Sequence, residues 1–357
     1  MKISALPFLT ALILLFSGCS SPEFLDGNVA RRMLPDTTGE TGSRADEFKN
    51  ALSGERVTGV FLKRTSLNFF SGVPDELAKR LAMLGVNAVY IEYDREFFTS
   101  ADYQRMLEKL IPQLDAAGAK VFLELKMSDN LWYRSGNTFV RRWINPPHDV
   151  IDDVAENFAR YQIRHPNAKF GGIFFSFNVE FFDAANSELP PGNLYGWSDL
   201  AYGPGRDNDL LVKNGFDTFA AIKEKLVKKN VIDGLIFGAA APLFIPEQAA
   251  SGGLTAGTVE QFASTFDFTA FDARKGASAE IGRAMAPMLD ATTKKNAIGL
   301  ILPLSNHAES GGPALRRRSF KQFMVGLQAV EKLCAKHQSF GGIVFDDFAA
   351  LEDIWEK

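Results

Sequence analysis

The sequence predicts an α/β protein whose body is one closed (β/α)8 barrel spanning residues 55–357. Three observations carry that prediction. Eight short apolar runs recur along the body, amphipathic stretches separate most of them, and no Gly-x-Gly-x-x-Gly follows the first run. Near-continuous apolar strands divided by helices build parallel sheets that the helices cover. Eight such units in one chain fit a closed barrel better than an open doubly wound sheet. The missing glycine signature argues against a dinucleotide-binding crossover.

Composition agrees. The 357 residues are 46% hydrophobic and 23% charged, too apolar for a disordered chain, and a formal net charge of −4 leaves no basic footprint for nucleic acid. Phe occurs 31 times against 7 Tyr and 4 Trp, so a large core is available and the few Trp and Tyr become informative by position.

The first element is a label rather than structure. Residues 1–18 begin with Lys2 and continue as an apolar run over 5–16. A membrane-spanning helix needs roughly 20 apolar residues, so this run is too short to span and matches the core of a secretory signal peptide. Ser17-Gly18-Cys19 resembles the bacterial lipobox, with Phe16 standing where that motif prefers an aliphatic residue. The resemblance implies lipidation of Cys19, which becomes the mature N-terminus, and Ser20 after it resembles lipoproteins sent to the outer membrane. The expected location is therefore the bacterial cell envelope, lipid-anchored, facing the periplasm or the surface. Residues 19–54, polar from 20 onward, are expected to form a flexible tether. Cys334 remains as a free cysteine in the apolar pattern Phe323, Leu327, Val330, Cys334, expected to be buried in a helix.

The body follows in order. The expected strands are 57–62, 86–92, 119–125, 172–177, 234–240, 266–271, 297–302 and 342–346, with helical patterns at 74–85, 101–118 and 150–165. The segments at 170–177 and 340–348 both begin Phe-Gly-Gly-Ile, an echo that half-barrel duplication would leave. The longest connections, near 126–148 and 181–213, follow the third and fourth strands. Strand-to-helix loops build the active-site face of such a barrel. The first loop holds Trp132, Tyr133 and Trp143, and the second Tyr195, Trp197 and Tyr202. A ring with a polar tip suits a ligand that is apolar on one face and hydrogen-bonds at its edge, as a sugar does; the alternative is that these rings anchor long loops.

Strand alternation sorts the acids. In the fourth strand Ile173, Phe175, Phe177 and Val179 form an apolar face, leaving Phe174, Ser176, Asn178 and Glu180 inward. The same parity sends Phe122, Glu124 and Lys126 inward from the third strand, Tyr90, Glu92 and Asp94 from the second, and Val344 and Asp346 from the eighth. His307 and Glu309 fall on the inward parity beyond the seventh. The barrel mouth should thus present Glu92, Glu124, Asn178, Glu180 and Asp346, with Lys126 and His307 nearby. Carboxylates crowded in a partly dry cavity perturb one another, the route by which one becomes a general acid while another stays charged. Glycosidic hydrolysis needs such a pair. The competing expectation is that Lys126, Lys63 or Arg64 holds these acids in ion pairs.

With those residues stated, the chain resembles barrel glycoside hydrolases, in which an acid/base Glu occupies the end of the fourth strand. Asn178-Val179-Glu180 departs from the adjacent Asn-Glu of the large retaining clan, and only Glu309 stands where that clan places its nucleophile. Chitinase-like barrels share the Gly-Gly start, the hydrophobic pattern and the terminal Glu of 171–180, but Phe174 and Ser176 replace their acids. The run 345–353, with Asp346-Asp347, is similar to the strand end of hydrolase domains in envelope exopolysaccharide lipoproteins. The resemblance implies a carbohydrate substrate, Glu180 as general acid/base, and Asp346, Glu124 or Glu92 as the second carboxylate. Asn178, Lys126, His307 and the six loop aromatics would contact substrate. The alternative is a non-catalytic barrel that binds an envelope glycan or a protein partner. No cofactor and no metal is expected: the four His form no His-Glu-x-x-His, and no Gly-x-Ser-x-Gly occurs.

Overall fold

The apolar runs form the strands expected of them. The computed structural model describes residues 40–52, 55–70, 72–93, 98–126, 132–135, 138–141, 148–177, 208–272, 278–304 and 319–355. In chain order the strands are β1 (Val57–Leu62), β2 (Ala88–Glu92), β3 (Lys120–Lys126), β4 (Trp132–Ser135), β5 (Thr138–Arg141), β6 (Gly172–Ser176), β7 (Ile236–Pro242), β8 (Phe268–Asp272), β9 (Ile298–Leu302) and β10 (Phe340–Phe345). Eight of them, all but β4 and β5, close a parallel barrel in the order β1-β10-β9-β8-β7-β6-β3-β2. The fifth barrel strand begins two residues later than the sequence suggested, because Gly234 (φ 77°) still belongs to the turn, and so does the sixth, because Phe266 caps the preceding helix.

The helices are α1 (Glu40–Ala51), α2 (Arg64–Phe70), α3 (Pro74–Met83), α4 (Ala101–Ala116), α5 (His148–Arg164), α6 (Asn208–Lys228), α7 (Phe244–Ala250), α8 (Val259–Thr265), α9 (Ser278–Asp290), α10 (Phe320–Cys334) and α11 (Phe348–Trp355). Among the described residues no helix is long and apolar enough to cross a membrane.

Alternation along each strand separates two cores. Ile173, Phe175 and Phe177 pack outward under the helices, whereas Phe174 joins Phe61, Tyr90, Phe122, Phe268, Ile301 and Val344 inside the barrel. The interior holds these rings because its neighbours are small. A Cβ on Gly238 would stand 2.4 Å from the Phe174 ring, and one on Gly299 2.2 Å from the Phe268 ring. Outside, the phenylalanine excess is spent on one continuous cluster. Phe177 packs on Phe216 (4.9 Å between centroids) and Phe262 (5.1 Å), and Phe219 on Phe266 (4.4 Å), joining β6 to α6 and α8. Cys334 is free and buried at the end of α10, as its helical spacing suggested.

The folded body starts earlier than expected. The segment expected as a tether contains α1, a docked helix. Phe48 is fully buried between Phe323 of α10 (6.3 Å) and Phe345 of β10 (5.5 Å), and the Arg44 guanidinium lies 5.5 Å from the Phe320 ring centroid. Asp46, Glu47, Lys49 and Asn50 are exposed and form the solvent face of this helix. Ring closure also uses charge. Buried Arg80 of α3 binds Glu76 (3.1 Å) and Glu352 of α11 (2.9 Å), tying the first barrel helix to the last.

Candidate active site at the strand ends

The interior rows point to the site. Two residues beyond the inward Phe61, Tyr90, Phe122, Phe174, Ala240, Ala270, Ile301 and Val344 stand Lys63, Glu92, Glu124, Ser176, Pro242, Asp272, Pro303 and Asp346. Among the described residues the C-terminal mouth of the barrel therefore carries four carboxylates on its inward positions. Glu92 and Glu124 are register partners on β2 and β3, so their Cα atoms are about 4.8 Å apart and their side chains leave the same face of the sheet. Glu124 is only 4% exposed and Glu92 is half-buried. Beneath them lies a packed aromatic floor. The Tyr90 ring meets Phe174 at 4.1 Å, Phe61 at 5.0 Å and Phe122 at 5.5 Å, and burial pushes the Tyr90 phenol well above its ordinary pKa.

The remaining acids are placed by backbone. Asp346 Oδ1 accepts a hydrogen bond from the Leu304 N–H at 2.6 Å, linking β10 to the turn after β9. Asp347 faces the other way, as its parity required. Its carboxylate binds Lys63 Nζ at 2.8 Å and accepts from the Ala349 N–H at 3.0 Å at the start of α11. Lys63, one of the cations expected to hold the inward acids, is thus bound to the outward Asp347. Asp272 lies one residue beyond the expected end of the sixth strand; the alternation Phe268, Ala270 continues to it, and the strand ends there.

Glu180, Asn178, Trp143, Tyr195, Trp197, Tyr202, His307 and the lipidation site Cys19 lie outside the described residues. Lys126 ends β3 and pairs with Ser176 in register. Trp132 and Tyr133 belong to β4, which pairs antiparallel with β5, Trp132 opposite Arg141 and Tyr133 opposite Val140. The loop after the third barrel strand therefore contains a two-stranded sheet where only an aromatic loop was expected. The dipeptide Gly136-Asn137 between two β-rich stretches is the hairpin signal that announced it. Among the described residues no group of three or more His, Cys, Asp or Glu is arranged to hold a metal ion.

This geometry defines a (β/α)8 barrel with an acid-lined mouth at its C-terminal face. No family model matches the chain, and no curated protein is similar to it. Solved structures are. The chain is similar to the PgaB (BpsB) glycoside hydrolase domain of Bordetella bronchiseptica, with TM-score 0.50 and 13% identity over 84% of this chain and 95% of that one. It is also similar to a family 18 chitinase from Pseudoalteromonas aurantia, with TM-score 0.46 and 13% identity over 83% and 96% of the two chains. A third is a family 5 glycoside hydrolase from Prevotella bryantii in complex with a xyloglucan oligosaccharide, with TM-score 0.43 and 12% identity over 87% and 97%. The likeness to these glycoside hydrolases is one of fold.

Proposed function

We propose that the protein is a glycoside hydrolase of the bacterial cell envelope, held by lipid on Cys19 at the outer membrane, that cleaves a polysaccharide or glycan with a carboxylate pair. The observation that carries this reading is the register pairing of Glu92 with Glu124 at the catalytic end of the barrel. Hydrolysis of a glycosidic bond asks for one carboxylic acid that protonates the leaving oxygen. It asks for a second carboxylate that attacks the anomeric carbon or takes a proton from the attacking water. Glu180 is assigned as general acid/base. Of the three candidates for the second carboxylate, Glu92 and Glu124 are favoured over Asp346 because they stand side by side in register on neighbouring strands. Trp132, Tyr133, Trp143, Tyr195, Trp197 and Tyr202 would stack on sugar rings, with Asn178, Lys126 and His307 hydrogen-bonding their hydroxyls.

Purified protein is screened against envelope and secreted polysaccharides by release of reducing ends, alongside Glu180→Gln. Loss of release in a folded Glu180→Gln protein supports the assignment, and full activity in that variant removes it. Saturable binding of a glycan with no release in the wild type would instead establish the non-catalytic reading. Palmitate labelling that disappears in Cys19→Ala tests the anchor.

A further inference from the structure

The opposite end of the barrel carries a cavity. In barrels of this class the N-terminal end is ordinarily closed by packed branched side chains. Here Ala88, Gly172, Gly238, Gly299 and Gly342 stand at inward positions near the strand starts beside Val57, Ile236 and Phe268, and the rings of Phe174 and Phe268 lie against Gly238 and Gly299. A cavity of about 300 Å³ opens below, walled by Tyr90, Phe122, Phe174, Phe268 and Ile236. Phe122 and Phe268 keep 7% and 8% of their surface accessible, so this aromatic wall is within reach of solvent.

The charges at its rim are Glu55, Arg56 and Lys120. Arg56 is already engaged, by Glu331 at 2.6 Å and the Ala335 carbonyl at 3.3 Å, with its guanidinium 5.1 Å from the Phe340 ring centroid. Lys120 differs: its stem lies along Gly171, with Cβ, Cγ and Cδ 3.3–3.7 Å from where a Gly171 Cβ would be, and no hydrogen bond or ion pair reaches its ammonium among the described residues. A flat aromatic wall beside an uncommitted cation is complementary to a planar ring bearing an anionic group. Apolar cavities lined by such side chains take up single-ring aromatics even when they were not selected to do so.

We infer that the N-terminal cavity of the barrel is a binding site for a small aromatic carboxylate, its ring against Phe122 and Phe268 and its carboxylate at Lys120. The site is remote from the acid-lined mouth and is independent of the hydrolytic reading. Its test is titration of the full chain with benzoate and with toluene by isothermal calorimetry, in the wild type, Lys120→Met and Ile236→Trp. Benzoate should bind saturably. Lys120→Met should weaken benzoate about fivefold, the scale of one exposed charge contact, and leave toluene unchanged. Ile236→Trp, which fills the mouth, should abolish both. Soaking crystals of the wild type with 4-iodobenzoate, which needs no variant to fold, should place the iodine among these rings. Absence of saturable benzoate binding, binding indifferent to both substitutions, or iodine located elsewhere would each overturn the inference.

Discussion

Replacing Phe48 with Ala tests whether α1 belongs to the folded unit. The side chain is 0% exposed and sits between Phe323 and Phe345. Truncating a buried Phe to Ala costs 3–5 kcal/mol when the surroundings cannot collapse. Here α1 is peripheral, and a 12-residue helix has little stability alone. The cost is therefore capped near the energy of docking the helix, and the lower end, about 3 kcal/mol, is expected. That corresponds to a fall in Tm of about 6 °C for a domain of this size. The assay is urea unfolding followed by circular dichroism, with a lower midpoint as the expected result. Val325→Ala on the exposed face of α10, where the side chain is 62% accessible, is the control and should change stability by less than about 0.5 kcal/mol. A loss below about 1 kcal/mol for Phe48→Ala would refute the reasoning and return residues 40–51 to the tether.

Three further outcomes are expected. Gly238→Ala should destabilise by about 1–3 kcal/mol in thermal melts, because its methyl would stand 2.4 Å from the Phe174 ring inside a packed barrel. Cys334, whose thiol is pushed up to about 12 by burial and by the nearby Glu331, should resist iodoacetamide at pH 8 in the native state and react at once in denaturant. Asp209 accepts from the Thr255 hydroxyl at 2.5 Å and from the Thr255 and Ala256 N–H groups at 2.6 and 3.2 Å. These hydrogen bonds, the hydroxyl first, hold its carboxyl below the ordinary value. A carboxyl whose pKa is depressed in the folded state gives stability above its unfolded pKa of about 3.9 and loses it as pH falls through the folded value. Asp209→Asn should therefore melt below the wild type at pH 7, and the gap should narrow toward pH 3.

The barrel was legible because each strand is a short apolar run whose inward and outward residues differ in kind. Ile173, Phe175 and Phe177 against Phe174 and Ser176 specify one face of β6 for the helices and the other for the interior. The same parity placed Glu92, Glu124 and Asp346 at the mouth without any structure. What the pattern did not reveal has physical reasons. Helix α1 was hidden because a peripheral helix buries few side chains, chiefly Ala45 and Phe48, beneath a polar surface. Asp272 was hidden because a polar residue at a strand end resembles the start of a loop. The pairing of β4 with β5 is marked in the sequence only by Gly136-Asn137 between two four-residue stretches too short to stand out as apolar runs. The register that makes Glu92 and Glu124 neighbours is a property of pairing between strands, which no single run encodes.

The central claim, hydrolysis by acids at the barrel mouth, is tested most directly by reducing-end release from the best polysaccharide substrate by the wild type, Glu92→Gln and Glu124→Gln, each confirmed folded by its melting curve. The account predicts that the wild type releases reducing ends and that at least one of the two variants loses about 10²-fold or more in kcat, the scale of one positioned acid–base group. Rates equal to wild type in both variants would contradict it.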